Sequence, residues 1–237
     1  MRILLVGHGR MGQLVANLAD KYGCEVAGVI DSHTASGPDG PRSTRWNDVD
    51  VAIDFSVPAA VASNVPALAG RGINLVIGTT GWQNEEPAIR AAVDQAGVGV
   101  VAAPNFSTGV VILEAIVGRA AALFEGQTDF GAWIHEAHHA AKKDAPSGTA
   151  LLLKRAMEGG GYSRSIDVSS TRAGQIPGSH TVGFEGPAES IVLSHIARDR
   201  TAFARGALFA ARWIKGKRGW FTMRDVLGLS GPEGPHY

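Results

Sequence analysis

The chain has 237 residues, 45% of them hydrophobic, and its 22 basic and 22 acidic side chains give a formal net charge of zero. That length allows a sizeable core in one or two domains, and the balanced charge disfavours nucleic acid or an acidic membrane surface as the main partner. A single cysteine, Cys24, excludes a disulfide framework. We find no secretory leader and no apolar run near the ~18 residues of a membrane span. We therefore expect a cytoplasmic protein with neither a membrane nor a nucleic-acid partner.

The first predicted element is a short apolar run, Arg2–Val6, typical of a buried parallel strand. A G-x-G-x-x-G turn follows it at once and leads into a segment of helical spacing from Gln13. Between a strand and a helix, such glycines permit a tight turn, close approach to a pyrophosphate and close helix–strand packing. We therefore predict that the whole turn binds a dinucleotide: Gly7, His8, Gly9, Arg10, Met11 and Gly12.

An acidic residue ends the second predicted strand, Cys24–Ile30. Asp31 follows Gly12 by 19 positions, where such folds place the carboxylate that accepts the ribose hydroxyls. A turn aspartate without a ligand is the alternative interpretation. A negative charge here disfavours a 2′-phosphate, so NADH is favoured over NADPH. Arg42 and Arg45, in the Gly/Pro/Ser-rich loop that follows, are still within reach of a phosphate and leave the choice of cofactor open.

Three further apolar runs continue the βαβ rhythm of a Rossmann-like, doubly wound parallel sheet. These strands are predicted over Val49–Phe55, Ile73–Ile77 and Val98–Ala102, with helices from Pro58 and Glu86. Open α/β sheets bind ligands beyond the carboxyl ends of their strands. We therefore assign residues at the ends of these strands and in the loops that follow to the cofactor site: Phe55, Gly78, Thr79, Thr80, Pro104, Asn105 and Phe106. The two phenylalanines are equally consistent with ordinary core packing.

The pattern changes after Ser107 and indicates a second α+β domain with a mixed or antiparallel sheet. Helices are predicted over Thr108–Phe124 and Thr201–Ile214, and strands over Thr128–Ile134, Ile166–Thr171, His180–Phe184 and Ser190–His195. Residues 230–235 have the composition of a loose tail.

The densest group of chemically active side chains lies between Trp133 and Leu153. The adjacent His138 and His139 precede the Lys142–Lys143 pair, and Asp144 follows. The segment Pro146–Thr149 is typical of a helix start with a hydroxyl cap, and a helix N-terminus attracts carboxylates. Proton carriers, cations and an anion cradle so close together predict a functional site.

The same stretch contains the zinc-hydrolase pattern H-E-x-x-H, from His135 to His139, with Glu136 as the base. That pattern needs a continuous helix and a third ligand, whereas the residues before it look more like a strand. Histidines that merely decorate a polar loop are another alternative.

Taken together with the glycine turn and the stretch from Trp133 to Leu153, the motifs of the chain resemble those of the 4-hydroxy-tetrahydrodipicolinate reductase (dihydrodipicolinate reductase) family over nearly its whole length. The motifs that carry the resemblance are separate and in the family's order. They are Glu136-x-His138-x-x-x-Lys142-x-Asp144-x-Pro146-Ser147-Gly148-Thr149-Ala150, Gly78-Thr79-Thr80-Gly81, Pro104-Asn105-Phe106-Ser107-x-Gly109, and a block from Arg172 to Ala207 that includes His180 and His195. This resemblance leaves little weight for the zinc hypothesis.

The resemblance implies NAD(P)H-dependent reduction of a cyclic imine that carries two carboxylates, in the diaminopimelate route to lysine. The imine loses water, hydride passes to ring C4, and a proton goes to the neighbouring carbon. His138 matches the family's proton-relaying histidine and Lys142 its proton-donating, charge-stabilising lysine. The substrate site is implied to comprise Thr80, His139, Lys142, Ser147, Gly148 and Thr149, without a metal.

The resemblance also implies two domains and an assembly. Residues 1–106 plus 206–237 would hold the dinucleotide, and residues 107–205 the substrate and the contacts of a homotetramer. Segments near Ser107 and Arg205 would act as hinges for closure. The chain departs from the family at Ala140–Ala141, where relatives carry a basic pair, and at Trp133, an acidic position in the signature. A dinucleotide-binding relative that has lost catalysis is therefore the remaining alternative.

Overall fold

The computed structural model describes residues 1–230, so the predicted tail at 230–235 lies outside the described residues apart from Ser230. The strands in the described part are β1 (Arg2–Val6), β2 (Glu25–Ile30), β3 (Val51–Asp54), β4 (Asn74–Ile77), β5 (Gly99–Ala102), β6 (Gly131–His138), β7 (Ile166–Arg172), β8 (Ser179–Glu185), β9 (Ser190–Ile196) and β10 (Gly219–Phe221). The α-helices there are α1 (Arg10–Leu18), α2 (Pro58–Ala69), α3 (Glu86–Ala96), α4 (Thr108–Phe124), α5 (Gly148–Gly159), α6 (Thr201–Ile214) and α7 (Met223–Val226).

The first sheet has six strands in the order β10-β5-β4-β3-β1-β2, and every neighbouring pair in it is parallel. Helices cover both faces. Leu75 and Ile77 of β4 belong to the core that includes Val65 of α2 and Ile89 of α3. Successive strand residues point to opposite faces. Asn74, one position before Leu75, therefore points to the other face, where its side chain donates to a carbonyl at the end of α6. The predicted doubly wound parallel sheet is confirmed.

The strand order reverses at β1. The chain passes from β1 to β2 on one side and then returns to β3 on the other. Such a switch point leaves a crevice at the carboxyl ends of the strands, where this class of fold binds ligands. The three-residue β10, which pairs with β5, was absent from the sequence predictions because so short a run carries no detectable period.

The second sheet has the order β7-β6-β8-β9. β6 pairs parallel with β7 and antiparallel with β8, and β8 pairs antiparallel with β9, so the sheet is mixed, as predicted. One face packs against α4 and α5 through an apolar core that includes Leu113, Leu153, Ile134, Val182 and Phe184. We call this the inner face, and its opposite the outer face.

The predicted strand Thr128–Ile134 was wrong in its bounds. β6 begins at Gly131, after a turn in which Phe130 N–H donates to Gln127 O, and it continues through His138. Its last residues are polar, and polarity alone favoured a loop. They stay in the strand because β7 and β8 pair with them on both sides.

The chain divides into two compact units, Met1–Thr108 with the chain from Thr201 onward, and Gly109–Arg200. The binding roles expected for 1–106 plus 206–237 and for 107–205 stay a prediction. Within residues 1–230, no helix combines the length and apolarity needed to cross a bilayer.

Candidate active site

The glycine turn after β1 is shaped by close backbone packing. Gly7 has φ +91°, and a Cβ there would lie 2.5 Å from the Phe55 carbonyl oxygen. A Cβ at Gly12 would collide with the Gly7 carbonyl oxygen. A Cβ at Gly9 would meet no protein atom within 4 Å. Steric packing therefore explains two of the glycines, whereas Gly9 leaves open space at the start of α1, which has no side-chain cap.

A cavity of about 480 Å³ lies at the switch point, lined by residues from the ends of β1, β2 and β3. Its lining includes Gly7, His8, Gly9, Asp31 and Phe55, so five of the predicted cofactor residues share one cavity. Arg10 and Met11 stand in the first turn of α1 beside it, and Gly12 is buried beneath. The open space at Gly9 and the uncapped helix start fit the pyrophosphate of a dinucleotide.

Asp31 at the end of β2 is held as an anion. Its Oδ1 accepts from His33 N–H at 2.9 Å and from Thr34 N–H at 3.1 Å. The hydrogen bond from His33 N–H, with those from Thr34, lowers the pKa of the Asp31 carboxyl below its usual value. The carboxylate on the cavity wall fits the ribose hydroxyls of the same dinucleotide.

The remaining predicted cofactor residues follow β4 and β5. Thr79 Oγ1 donates to the buried Asp54 at 2.7 Å, and burial raises the pKa of that carboxyl. The Phe55 ring fills the space that a Cβ at Gly78 would need, and it meets Phe106 edge-on at 6.1 Å between ring centroids. These loops thus adjoin the cavity through Phe55, although they do not line it. The other residues are the exposed Thr80 and Pro104, and Asn105, whose Oδ1 accepts from Ser107 N–H. Cofactor binding by these loops stays a prediction.

The second group of predicted residues surrounds the end of β6. Register places Glu136 opposite His180 of β8, and His138 opposite Arg172 of β7. Glu136 and His138 both point to the inner face, just where the apolar core ends and α5 begins. His138 Nδ1 lies 2.5 Å from Glu136 Oε2.

Glu136 is fully buried and is surrounded by donors. Arg172 binds it with both terminal nitrogens, at 2.9 Å to Oε2 and 2.6 Å to Oε1, and Ser147 N–H donates to Oε1 at 3.1 Å. Burial alone would raise the pKa of Glu136. The hydrogen bonds, first that of Arg172 and then those of Ser170, His138 and Ser147, lower it to about 2. Glu136 is therefore ionised at any working pH.

Two further histidines extend this row across the sheet. The His180 and His138 rings meet edge-on at 5.1 Å, and His180 Nε2 lies 3.1 Å from Ser147 Oγ. Burial, assisted by the charge of His138, lowers the pKa of His180 to about 4. Burial also lowers the pKa of His195, its partner on β9. His180 is thus neutral near pH 7.

The segment predicted to be an anion cradle lies at the start of α5. Ser147 is the N-cap, and its Oγ accepts from Ala150 N–H at 3.2 Å, which confirms the predicted helix start. Lys142 Nζ donates to both oxygens of Asp144, at 2.7 and 2.9 Å. The hydrogen bond from Lys142, with a further one from Gly148 N–H, lowers the pKa of Asp144. A protein carboxylate therefore sits between the predicted cation and the predicted helix N-terminus.

The structure brings most of the predicted catalytic and substrate residues of this unit together. Arg172 Nη2 also donates to the Asp144 carbonyl at 2.6 Å, which links the Glu136–His138 pair to the Lys142 turn. His139 follows β6 directly and is half-buried, Thr149 is half-buried in the first turn of α5, and Lys143 is exposed. Thr80, the remaining predicted substrate residue, belongs to the first unit.

Sequence reasoning did not foresee the contacts of three residues of this cluster. Glu136 was considered as the base of the zinc motif, Arg172 as a possible replacement for the basic pair absent at Ala140–Ala141, and His180 only as part of a family motif. The sequence signal that could have revealed Glu136 is the alternation of side chains along β6, which places this acidic residue on the inner face. The helical H-E-x-x-H motif is not formed, because His135 and Glu136 project from opposite faces of a strand. On the outer face, His135 Nδ1 lies 2.9 Å from Ser169 Oγ.

Comparison with known proteins agrees with these motifs. Family profiles described as dihydrodipicolinate reductase, N-terminus and C-terminus, match residues 1–106 and 109–227. A 4-hydroxy-tetrahydrodipicolinate reductase of Methanosarcina mazei is 42% identical over 223 residues, covering 87% of this chain and 81% of the relative. One from Christiangramia forsetii is 34% identical over 240 residues, covering 96% and 98%.

Solved structures agree in fold. A dipicolinate-bound dihydrodipicolinate reductase from Paenisporosarcina sp. TG-14 superposes with a TM-score of 0.80 at 22% identity, covering 94% of this chain and 97% of that one. A probable dehydrogenase from Thermotoga maritima gives 0.64 at 10% identity, covering 95% and 92%. The resemblance drawn from the motifs is confirmed, and the chain belongs to the dihydrodipicolinate reductase family.

Proposed function

We propose that this chain reduces 4-hydroxy-tetrahydrodipicolinate to tetrahydrodipicolinate with NAD(P)H, in the diaminopimelate route to lysine. Family membership and near full-length relatives of that name support the reaction. The observation that carries it is the cluster at the end of β6, where a histidine on a buried carboxylate adjoins a lysine and a helix N-terminus. Such a site suits an anionic substrate that must receive a proton.

The first unit would hold the cofactor. Gly7, Gly9 and Gly12 would bring the backbone and the α1 N-terminus to the pyrophosphate, and Asp31 would accept the ribose hydroxyls. When bound, the nicotinamide supplies the hydride that adds to ring C4. The carboxylate of Asp31 supports NADH over NADPH by repelling a 2′-phosphate. Arg45, a candidate phosphate partner, is already paired with Asp39 at 3.1 Å.

The second unit would hold the substrate. Lys142, His139 and the helix start at Ser147–Thr149 would bind its carboxylates, since each offers a cation or N–H and O–H donors. The proton would pass from the His138 imidazolium to the carbon beside C4 and leave a neutral imidazole, although the resemblance implies Lys142 as a proton donor as well. Lys142 would stabilise the negative charge that develops on the ring.

Assembly and location belong to the same proposal. A homotetramer, as the family resemblance implies, would use the outer face of the second sheet. That face exposes 52% of Val192 and 70% of Ile196. A cytoplasmic location stays a prediction.

The test is NADH oxidation with the substrate generated in place from pyruvate and aspartate semialdehyde by its synthase. We expect oxidation that depends on the synthase, and we expect His138→Ala to lower kcat by about 10²- to 10⁴-fold. NADPH replaces NADH in a parallel assay to measure the cofactor preference. Folded protein that binds NADH but oxidises none of it would contradict the proposal and indicate a relative without catalysis.

A further inference from the structure

Glu136 is a charged residue at a core position. The neighbouring inner-face residue on β6, Ile134, belongs to the apolar core, and Glu136 is equally buried, with 0% of its surface exposed. Burying a carboxylate without partners is costly. Both of its oxygens are satisfied, since Arg172 and Ser147 N–H hold Oε1, and Arg172 and His138 hold Oε2. The carboxylate has no freedom to rotate without breaking one of these bonds.

This arrangement determines the protonation geometry of His138. An ionised carboxylate accepts hydrogen bonds and donates none, so the 2.5 Å contact to Oε2 requires the proton on Nδ1. Nε2 then becomes the nitrogen that exchanges protons. A Cβ at Gly178, where φ is +134°, would lie 3.1 Å from Nε2. The glycine therefore keeps space beside that nitrogen.

Other titratable and charged groups surround the Glu136–His138 pair. Arg172 on β7 binds the same carboxylate, and His180 on β8 meets the His138 ring edge-on. Lys142 and Asp144 pair with each other in the turn after β6, which Arg172 contacts through the Asp144 carbonyl. Glu136 makes the direct hydrogen bond to the His138 ring, through Oε2 and Nδ1.

We propose that Glu136, locked by Arg172, is a positioning residue that fixes His138 as the Nδ1–H tautomer, so that Nε2 delivers the proton. This inference rests on the proposed function and deepens it. In the step, the Nε2–H bond of His138 breaks and a C–H bond forms beside ring C4. The Nδ1 proton stays on the ring, on its hydrogen bond to Glu136.

The direct test is ¹⁵N NMR of histidine-labelled protein, with His138→Gln used to assign the signals. In the unaltered protein at high pH, we expect His138 to appear as the Nδ1–H tautomer. An Nε2–H tautomer there would overturn the proposal, and this readout needs neither substrate nor turnover.

The variant test is Glu136→Gln, which keeps the shape and removes the charge. We expect loss of the fixed tautomer and a fall in kcat/KM of about 100-fold or more, carried mainly by kcat. Glu136→Asp restores the charge on a shorter arm, and we expect it to recover part of the Nδ1–H tautomer. Glu158→Gln, in an exposed pair with Lys154 on α5, is the matched control.

The outcomes distinguish failure of the positioning role of Glu136 from failure of the proposed function. If the unaltered protein is active and folded Glu136→Gln keeps both its tautomer and its kcat, Glu136 is merely structural. If the unaltered protein fails to turn over the imine, the proposed function fails, while the NMR result still reports on the tautomer. If Glu136→Gln does not fold, the tautomer of the unaltered protein and of Glu136→Asp decides.

Discussion

Asp144 is an internal carboxylate in the anion cradle formed by Lys142 and the start of α5. Both of its oxygens accept from Lys142 Nζ, and the Gly148 N–H lowers its pKa further. A substrate carboxylate bound by the same donors would compete with Asp144. The alternative is that Asp144 orients Lys142 for the substrate. The two roles predict opposite effects on affinity when the charge is removed.

We expect Asp144→Asn to bind a dicarboxylate about two- to fivefold more tightly. Removing the charge frees Lys142 to bind the substrate. The gain is small because an exposed ion pair of this kind is worth only about 0.2–1 kcal/mol. Calorimetric titration with pyridine-2,6-dicarboxylate in the presence of NADH measures the effect. Asp167→Asn, an exposed charge on β7, controls for the change in net charge. Weaker binding by Asp144→Asn alone would favour the orienting role.

The elements of the second unit are coupled to pH through His180, which lies on the inner face of β8. Its pKa is about 4 in the fold, chiefly because of burial, against an ordinary value of 6.5. Between these two values the unfolded chain binds the extra proton, so the free energy of unfolding falls as the pH drops from 6.5 to 4. The difference corresponds to roughly 3 kcal/mol.

We therefore expect His180→Gln to lose that part of the acid sensitivity while keeping a polar partner for Ser147. Urea unfolding midpoints between pH 7 and pH 4, compared with those of the unaltered protein, measure it. Glu136 acts in a lower window, because its stabilisation is lost only as the pH falls from about 4.5 through about 2. Parallel stability curves for the two proteins above pH 4 would contradict the assignment.

Two glycines of the turn between β1 and α1 allow the effects of packing and of cofactor binding to be tested separately. Gly12→Ala should destabilise the protein by about 1–3 kcal/mol, because the new Cβ meets the Gly7 carbonyl. Gly9→Ala meets no protein atom, so we expect only the loss of about 0.5–1 kcal/mol that alanine causes at a helix N-cap, and NADH binding weaker by about tenfold or more. Thermal unfolding and fluorescence titration with NADH measure the two properties. Unchanged NADH affinity in Gly9→Ala would exclude a pyrophosphate at this turn.

Sequence reasoning succeeded where local chemistry determines structure. The order of β1 to β5 and the helices between them, the glycine turn and the hydroxyl-capped helix start at Ser147 follow from periodicity and from short-range hydrogen bonding. It failed where partners come from distant strands. Glu136 and Arg172 are 36 residues apart, and strand register brings them together. The same register kept β6 in strand form through His138, because β7 and β8 satisfy polar residues that otherwise suggest a loop.

At the scale of the whole molecule, the outer face of the second sheet exposes apolar side chains that a partner could cover. Trp133 packs over Gly183, where a Cβ would collide with the indole, and Gly183 pairs with Val192 on β9. Val192 and Ile196 lie on the same face and are 52% and 70% exposed. Apolar residues grouped in this way on a sheet are typical of an interface between subunits.

We expect the unaltered protein to have the mass of a tetramer and Val192→Asp to have that of a smaller species. A symmetric interface repeats every substitution, so each contact would bury several new charges without partners. Light scattering coupled to size exclusion measures the mass, and circular dichroism checks the fold. Leu123→Asp on α4, at a residue 60% exposed and off the sheet, is the matched control and should stay tetrameric. A tetramer that survives Val192→Asp, or dissociates equally in Leu123→Asp, would place the interface elsewhere.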